Sequence, residues 1–191
     1  MREPPLTLGL DEADLDSEGA DPSEPGESHL ATEPGASIGF LVRTDGAARG
    51  NPGPASAGAV LIKLDRADAR DPRATPDASI SDYLGIQTNN VAEYTGVVRA
   101  VALALELGAR RLELLLDSKL IVEQLAGRWR VKDAKLRPLW AEALRMLRQL
   151  PGGWVASHVP RAQNSLADAM ANEAIDRVMA GGPDSVVTRP R

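Results

Sequence analysis

The sequence predicts an α/β domain built on a mixed sheet with helices on its faces, and three observations predict it. Three apolar runs, at 38–44, 57–62 and 80–87, follow one another with only turn-forming and polar residues between them, as in an antiparallel meander. From residue 90 the apolar spacing changes to three and four, the period of an amphipathic helix. Beyond that point helical and strand-like segments alternate, so the later strands must join the sheet through crossover helices.

Each element has its own warrant. Ile38 to Thr44 reads as a buried strand, followed by a Gly/Pro/Asn-rich turn from Gly46 to Pro54 and a second strand from Ala57 to Ile62. Residues 64–79, rich in Asp, Arg, Pro and Ala, read as a long hairpin loop before a third strand from Ile80 to Gln87. Val91, Tyr94, Val97, Val98, Val101 and Leu105 place a helix over 90–107, stopped by Gly108. Leu112 to Leu116 is continuously apolar, as at the centre of a sheet. A short helix over 118–126 ends at Gly127, and a basic loop covers 128–137. A helix over 139–150 begins after Pro138, a strand spans 154–158, and a last helix over 165–179 is closed by Gly181-Gly182-Pro183. The order is βββαβααβα, without internal repeats.

Composition narrows the function. Of 191 residues, 43% are hydrophobic but only 3% aromatic, so the core must be built from Leu, Val, Ile and Ala. The absence of cysteine excludes disulfides, thiolate metal sites and cysteine nucleophiles. With two histidines, His29 and His158, any metal must rely mainly on oxygen ligands. No apolar run is long enough for a transmembrane helix and no secretory leader is visible, so no membrane partner is expected and the cytoplasm is the expected compartment. Charge is uneven. Residues 1–37 hold ten acids and one base, a formal −9, and the remainder carries +4. The first segment is expected to be a disordered acidic arm, either a solubilising tail or a competitor for nucleic acid at the basic surface. The folded domain is expected over 38–183, with a tail at 184–191.

Four acids stand at element ends: Asp45 and Asp117 after apolar strands, Glu93 and Asp168 in the first turns of helices. Each alone has an ordinary explanation as a turn residue, an N-cap, or an acid at a positive helix end. Together they suggest a carboxylate cluster at the strand ends, where α/β sheets bind ligands. Packed carboxylates repel, so a cluster implies divalent cations, and oxygen ligation points to Mg2+ or Mn2+. Two such ions are the standard device for in-line phosphodiester cleavage.

Four segments resemble the motifs of type 1 ribonuclease H: Thr44-Asp45-Gly46-Ala47-Ala48-Arg49-Gly50-Asn51-Pro52-Gly53-Pro54, Thr88-Asn89-Asn90-Val91-Ala92-Glu93, Asp117-Ser118-Lys119, and His158 to Asp168. They occur in family order, with spacings of 48, 24 and 51 from each acid to the next and His158 ten residues before Asp168. The resemblance implies a five-stranded sheet of order 3-2-1-4-5, three strands antiparallel and two parallel, with helices on both faces. It implies an endonuclease that hydrolyses the RNA strand of RNA–DNA hybrids, leaving 5′-phosphate and 3′-hydroxyl ends. Asp45, Glu93, Asp117 and Asp168 would ligate two Mg2+ ions, with Mn2+ a possible substitute. Asp45 would bridge both, Asp117 would share the ion that activates water, and Glu93 and Asp168 would hold the ion at the leaving oxygen. His158, otherwise a surface histidine, would assist proton transfer or product release.

An amide side chain can both donate to and accept from the RNA 2′-hydroxyl. Asn51 and Asn90, with the backbone around Gly46, are therefore candidate readers of the RNA strand; Asn89 is another, although it could simply start the helix. Thr88 and Ser118 could hold DNA phosphate, and Asn164 is a further candidate contact. The loop at 128–137 carries five cations and Trp129 in the place of the longer family members' basic protrusion. Trp129, Arg130 and Lys132 are expected on the DNA backbone, unless Trp129 anchors the core instead. The loop at 64–79 is longer than the tight hairpin of compact relatives. The chain is expected to act as a monomer on a hybrid duplex, without a small-molecule cofactor. A non-catalytic hybrid-binding module and another nuclease of the same fold are the competing readings; Ala47, where proofreading exonucleases carry the Glu of Asp-x-Glu, argues against that branch.

Overall fold

The computed structural model describes residues 38–190; the acidic arm expected at 1–37 lies outside the described residues. Six strands and four α-helices follow one another as β1 (Gly39–Ala48), β2 (Gly53–Lys63), β3 (Ala78–Gln87), α1 (Asn89–Glu106), β4 (Arg111–Leu116), α2 (Lys119–Leu125), α3 (Leu136–Leu147), β5 (Trp154–His158), α4 (Ser165–Met179) and β6 (Ser185–Thr188). The sheet order is β5-β4-β1-β2-β3-β6. β1, β2, β3 and β6 pair antiparallel, whereas β4 runs parallel to both β1 and β5. This is the expected order with one strand added. Ser185–Thr188 pairs with Ser79–Asp82, so the segment expected to be a tail completes the sheet edge. Its four residues between Gly-Gly-Pro and a following proline are too short a run to signal a strand.

Other boundaries moved for local reasons. β1 and β2 continue past the expected turn, pairing as far as Ala48 with Ala55, so Asp45 lies inside a strand rather than at its end. Glu93 is the fifth residue of α1, one turn in from the start. α3 begins at Leu136, with Pro138 as its third residue; the first helical N–H groups have no intrahelical acceptor, so proline is tolerated there.

The main core lies between the sheet and α1, α2 and α3. Phe40, Val42, Leu112, Leu114, Leu116, Val97, Val101 and Leu147 pack within it, each large side chain contributing roughly 1.5–3 kcal/mol by leaving water. Tyr94, fully buried, donates its hydroxyl to Gln124 Oε1 at 2.7 Å. On the opposite face α4 lays Ala167, Ala171, Ala174 and Ile175 against the sheet. The 64–77 loop folds back beside it, closing Ala69 and Ala74 over Ile62. Two glycines let the helices approach. A Cβ on Gly46 would lie 2.2 Å from Glu93 N, and one on Gly58 would lie 2.2 Å from Ala167 O. Since Asp45 pairs with Gly58 and precedes Gly46, the missing side chains bring α1 and α4 in from either side of the same strand position. Among the described residues no helix is long and apolar enough to cross a membrane.

Candidate active site

Asp45, Glu93, Asp117 and Asp168 line one cleft of about 460 Å3, together with Gly46, Ala47, Ala48, Asn89, Arg161 and Asn172. Four elements supply the acids: β1, α1, the end of β4, and α4. Asp45 is the deepest, 6% exposed, and its carboxylate accepts from Gly46 N at 2.8 Å. Burial pushes its pKa up to about 7, and the neighbouring Asp117 and Asp168 push in the same direction. Burial also raises Glu93, against bonds from Ser118 and Asn89 that favour its charged form. Asn89 Nδ2 donates to Glu93 Oε1 at 2.7 Å.

The remaining acids are held by neighbours. Asp117 accepts from Asn164 Nδ2 at 2.9 Å. Asp168 accepts from Arg161 at 2.6 Å and from Asn172 at 3.2 Å. Among the described residues no three acidic or histidine side chains converge, as placed, on one ion-sized position. The donor set nevertheless suits a hard cation: it is all carboxylate oxygen, and Arg161 is the only base lining the cleft. The upward push on Asp45 comes first from burial and then from Asp117 and Asp168, two negative charges that a bound cation would offset.

His158 is exposed at the end of β5, its Nε2 3.2 Å from Asp117 O. Asn51 and Asn90 are exposed, and Asn51 Oδ1 accepts from Asn89 N at 3.2 Å, tying the β1–β2 turn to the start of α1. Thr88 caps α1 by accepting from Val91 N, and Ser118 faces Glu93. Trp129, Arg130 and Lys132 are exposed away from the carboxylates. Trp129, 46% exposed, borders a second hollow with Arg130, Arg137 and Trp140, so it does not anchor the core.

One expectation is corrected. Asn164 is fully buried, donating to Thr44 O and Asp117 Oδ1; it braces a carboxylate and offers no surface to a strand. Gly46 lines the cleft, its missing side chain making room for α1 and its N–H donating to Asp45. Sequence reasoning gave no role to Arg161 and Asn172, which bind Asp168. Their positions, seven residues before and four after that acid, were the available signal for Asn172 on one helix face; Arg161 reaches back across a turn and gave none.

Sheet order, crossover and acidic cleft together define the ribonuclease H-like class of fold. The family described as "Reverse transcriptase-like" matches residues 43–174. Bifunctional protein Rv2228c of Mycobacterium tuberculosis is 41% identical over 139 residues, 71% of this chain and 35% of that protein. The chain thus spans about a third of the first curated relatives it matches. Ribonuclease H of Halorhodospira halophila is 34% identical over 72% of this chain and 93% of its own length. Among solved structures, RNase H1 from Halobacterium salinarum is 40% identical, with a TM-score of 0.63 over 72% of this chain and 98% of that one. LC11-RNase H1 in complex with an RNA/DNA hybrid is 34% identical, with a TM-score of 0.61 over 73% and 99%. The chain belongs to the ribonuclease H family of enzymes.

Proposed function

We propose that this chain hydrolyses the RNA strand of RNA–DNA hybrids with two divalent cations, Mg2+ or in its place Mn2+, leaving 5′-phosphate and 3′-hydroxyl ends. The observation that carries the reading is the gathering of Asp45, Glu93, Asp117 and Asp168 from four elements around one cleft. The hybrid-bound relative supports the choice of substrate, and a cleft lined by four carboxylates supports hard divalent cations.

The four carboxylates would hold the ions, whose chemistry is to neutralise phosphate charge and stabilise the attacking and leaving oxygens. The chain's own groups do the rest. Asn89 and Ser118 orient Glu93, and Asn164 orients Asp117. His158, open to solvent beside Asp117, can carry protons between the site and water. Asn51 and Asn90 flank the cleft with amides able to read a 2′-hydroxyl. Trp129, Arg130 and Lys132 supply an exposed basic surface for the DNA backbone, and Thr88, at the N-terminus of α1, and Ser118 are the candidates for a phosphate contact. The protein is proposed to act as a monomer.

The test is a cleavage assay on one labelled RNA strand, paired to DNA, paired to RNA, or single, with Mg2+, Mn2+ or EDTA. Cleavage confined to the hybrid and lost in EDTA is expected. Intact hybrid binding without cleavage would overturn the reading in favour of a non-catalytic hybrid-binding module.

A further inference from the structure

Arg43 lies in β1 two residues before Asp45, and strand alternation puts both side chains on one face. It is 1% exposed. A guanidinium is costly to bury without a carboxylate partner, and burial pulls its pKa down although Asp71 nearby favours the charge. Its hydrogen-bond partners are two backbone carbonyls from segments far apart in the chain: Gln163 O at 2.7 Å and Arg70 O at 3.3 Å. Its Nε has no partner among the described residues.

Both segments matter. Gln163 ends a 3-10 turn, Arg161–Gln163, directly before Asn164. That short stretch carries Arg161, bound to Asp168, and Asn164, bound to Asp117. Besides Asn164 donating to Thr44 O, the bond from Arg43 is what seats the turn on the sheet. Arg70 belongs to the 64–77 loop, which is docked by its own ion pair to Glu113 at 2.7 Å and by Ala69 and Ala74 on Ile62. The loop roofs Arg43 and keeps water from competing for its donors.

We propose that Arg43 is a positioning residue: clamped under the 64–77 loop, it fixes the 161–164 turn and through it the geometry of Asp117 and Asp168. This rests on the hybrid-cleavage reading above. Arg43→Met keeps the length and removes the donors. With rates normalised to the folded fraction, kcat should fall about 10- to 100-fold, the usual cost of losing a group that orients ligands, while KM for the hybrid stays within about twofold. Arg43→Lys should recover part of kcat. Hydrogen exchange should quicken at the amides of Gln163, Asn164 and Asp168, which are bonded within this segment, and not in β1 or β4. Wild-type kcat with unchanged exchange at these amides overturns the proposal. Should Arg43→Met fail to fold, Ala74→Asp lifts the loop from Ile62 without touching β1; the same split is expected, and wild-type kcat and exchange in that variant again overturn the proposal. A wild-type protein that cleaves nothing would instead sink the hybrid-cleavage reading, and the exchange measurement would still decide whether Arg43 seats the turn.

Discussion

Asp45 carries the clearest electrostatic signature. Its pKa stands at about 7, above the ordinary 3.8, so the folded, metal-free protein binds a proton that the unfolded chain releases. Stability should therefore fall as pH rises from about 4 to about 7, by up to roughly 4 kcal/mol at 1.36 kcal/mol per unit. Asp45→Asn should abolish cleavage, retain hybrid binding and flatten this slope, so that in EDTA at pH 8 the variant melts higher than the wild type. A steeper slope in the variant would contradict the account. His158 is exposed, and its ring lies within hydrogen-bond distance of the backbone carbonyl of Asp117, which suits an assisting role. His158→Ala should slow turnover roughly 10- to 100-fold without abolishing it, and unaltered kcat would demote it to a bystander. At this scale the sequence exposed the acids because each stands at an expected element end, Asp45 and Asp117 after apolar strands and Glu93 and Asp168 in the first turns of helices. It could not expose Arg43, whose acceptors lie 27 and 120 residues away, or the bracing role of Asn164, whose partners lie 47 and 120 residues away.

Among the elements, β6 is the one that periodicity could not find, and its contacts explain why it forms. Tyr83 N donates to Asp184 O, Ser185 donates to Asp82, and Arg177 in α4 reaches Ser81, Pro183 and Asp184. Arg189 pairs with Glu106 at 2.9 Å. Ending the chain at Pro183 should cost about 1–3 kcal/mol, the balance of several hydrogen bonds against the entropy of ordering the strand. That corresponds to a Tm lower by roughly 2–12 °C for a domain of this size, with kcat little changed because β6 lies at the far edge from β4 and β5. A kcat loss matching that of Asp45→Asn would show that this edge reaches the site. α1 was legible from its apolar spacing and the end of α4 from Gly181-Gly182-Pro183, whereas the closeness of both helices to the sheet depends on Gly46 and Gly58, which as single glycines in strands say nothing of what they admit.

Over the whole molecule, charge divides function. The body carries a formal +4 while residues 1–37 carry −9. The exposed Arg130 and Lys132 lie apart from the four carboxylates, so binding and cleavage should be separable. Replacing both with Ala should weaken hybrid affinity and lower the log–log salt slope by about 1.5–2, close to one per lost phosphate contact. kcat at saturating hybrid should change little. An unchanged slope in filter binding would remove them from the interface.

The sequence by itself determined the α/β class, the order of the first nine elements, and four acids at the strand and helix positions that meet in the cleft. It could do so because apolar period and turn chemistry act over a few residues. Only the tertiary structure decided that residues 185–188 complete the sheet, that Asn164 faces inward to Asp117, and that a buried Arg43 joins a loop to the turn before α4. Those features are bonds between segments distant in the chain, and a donor's partner is fixed by where folding brings the acceptor rather than by the residues beside it.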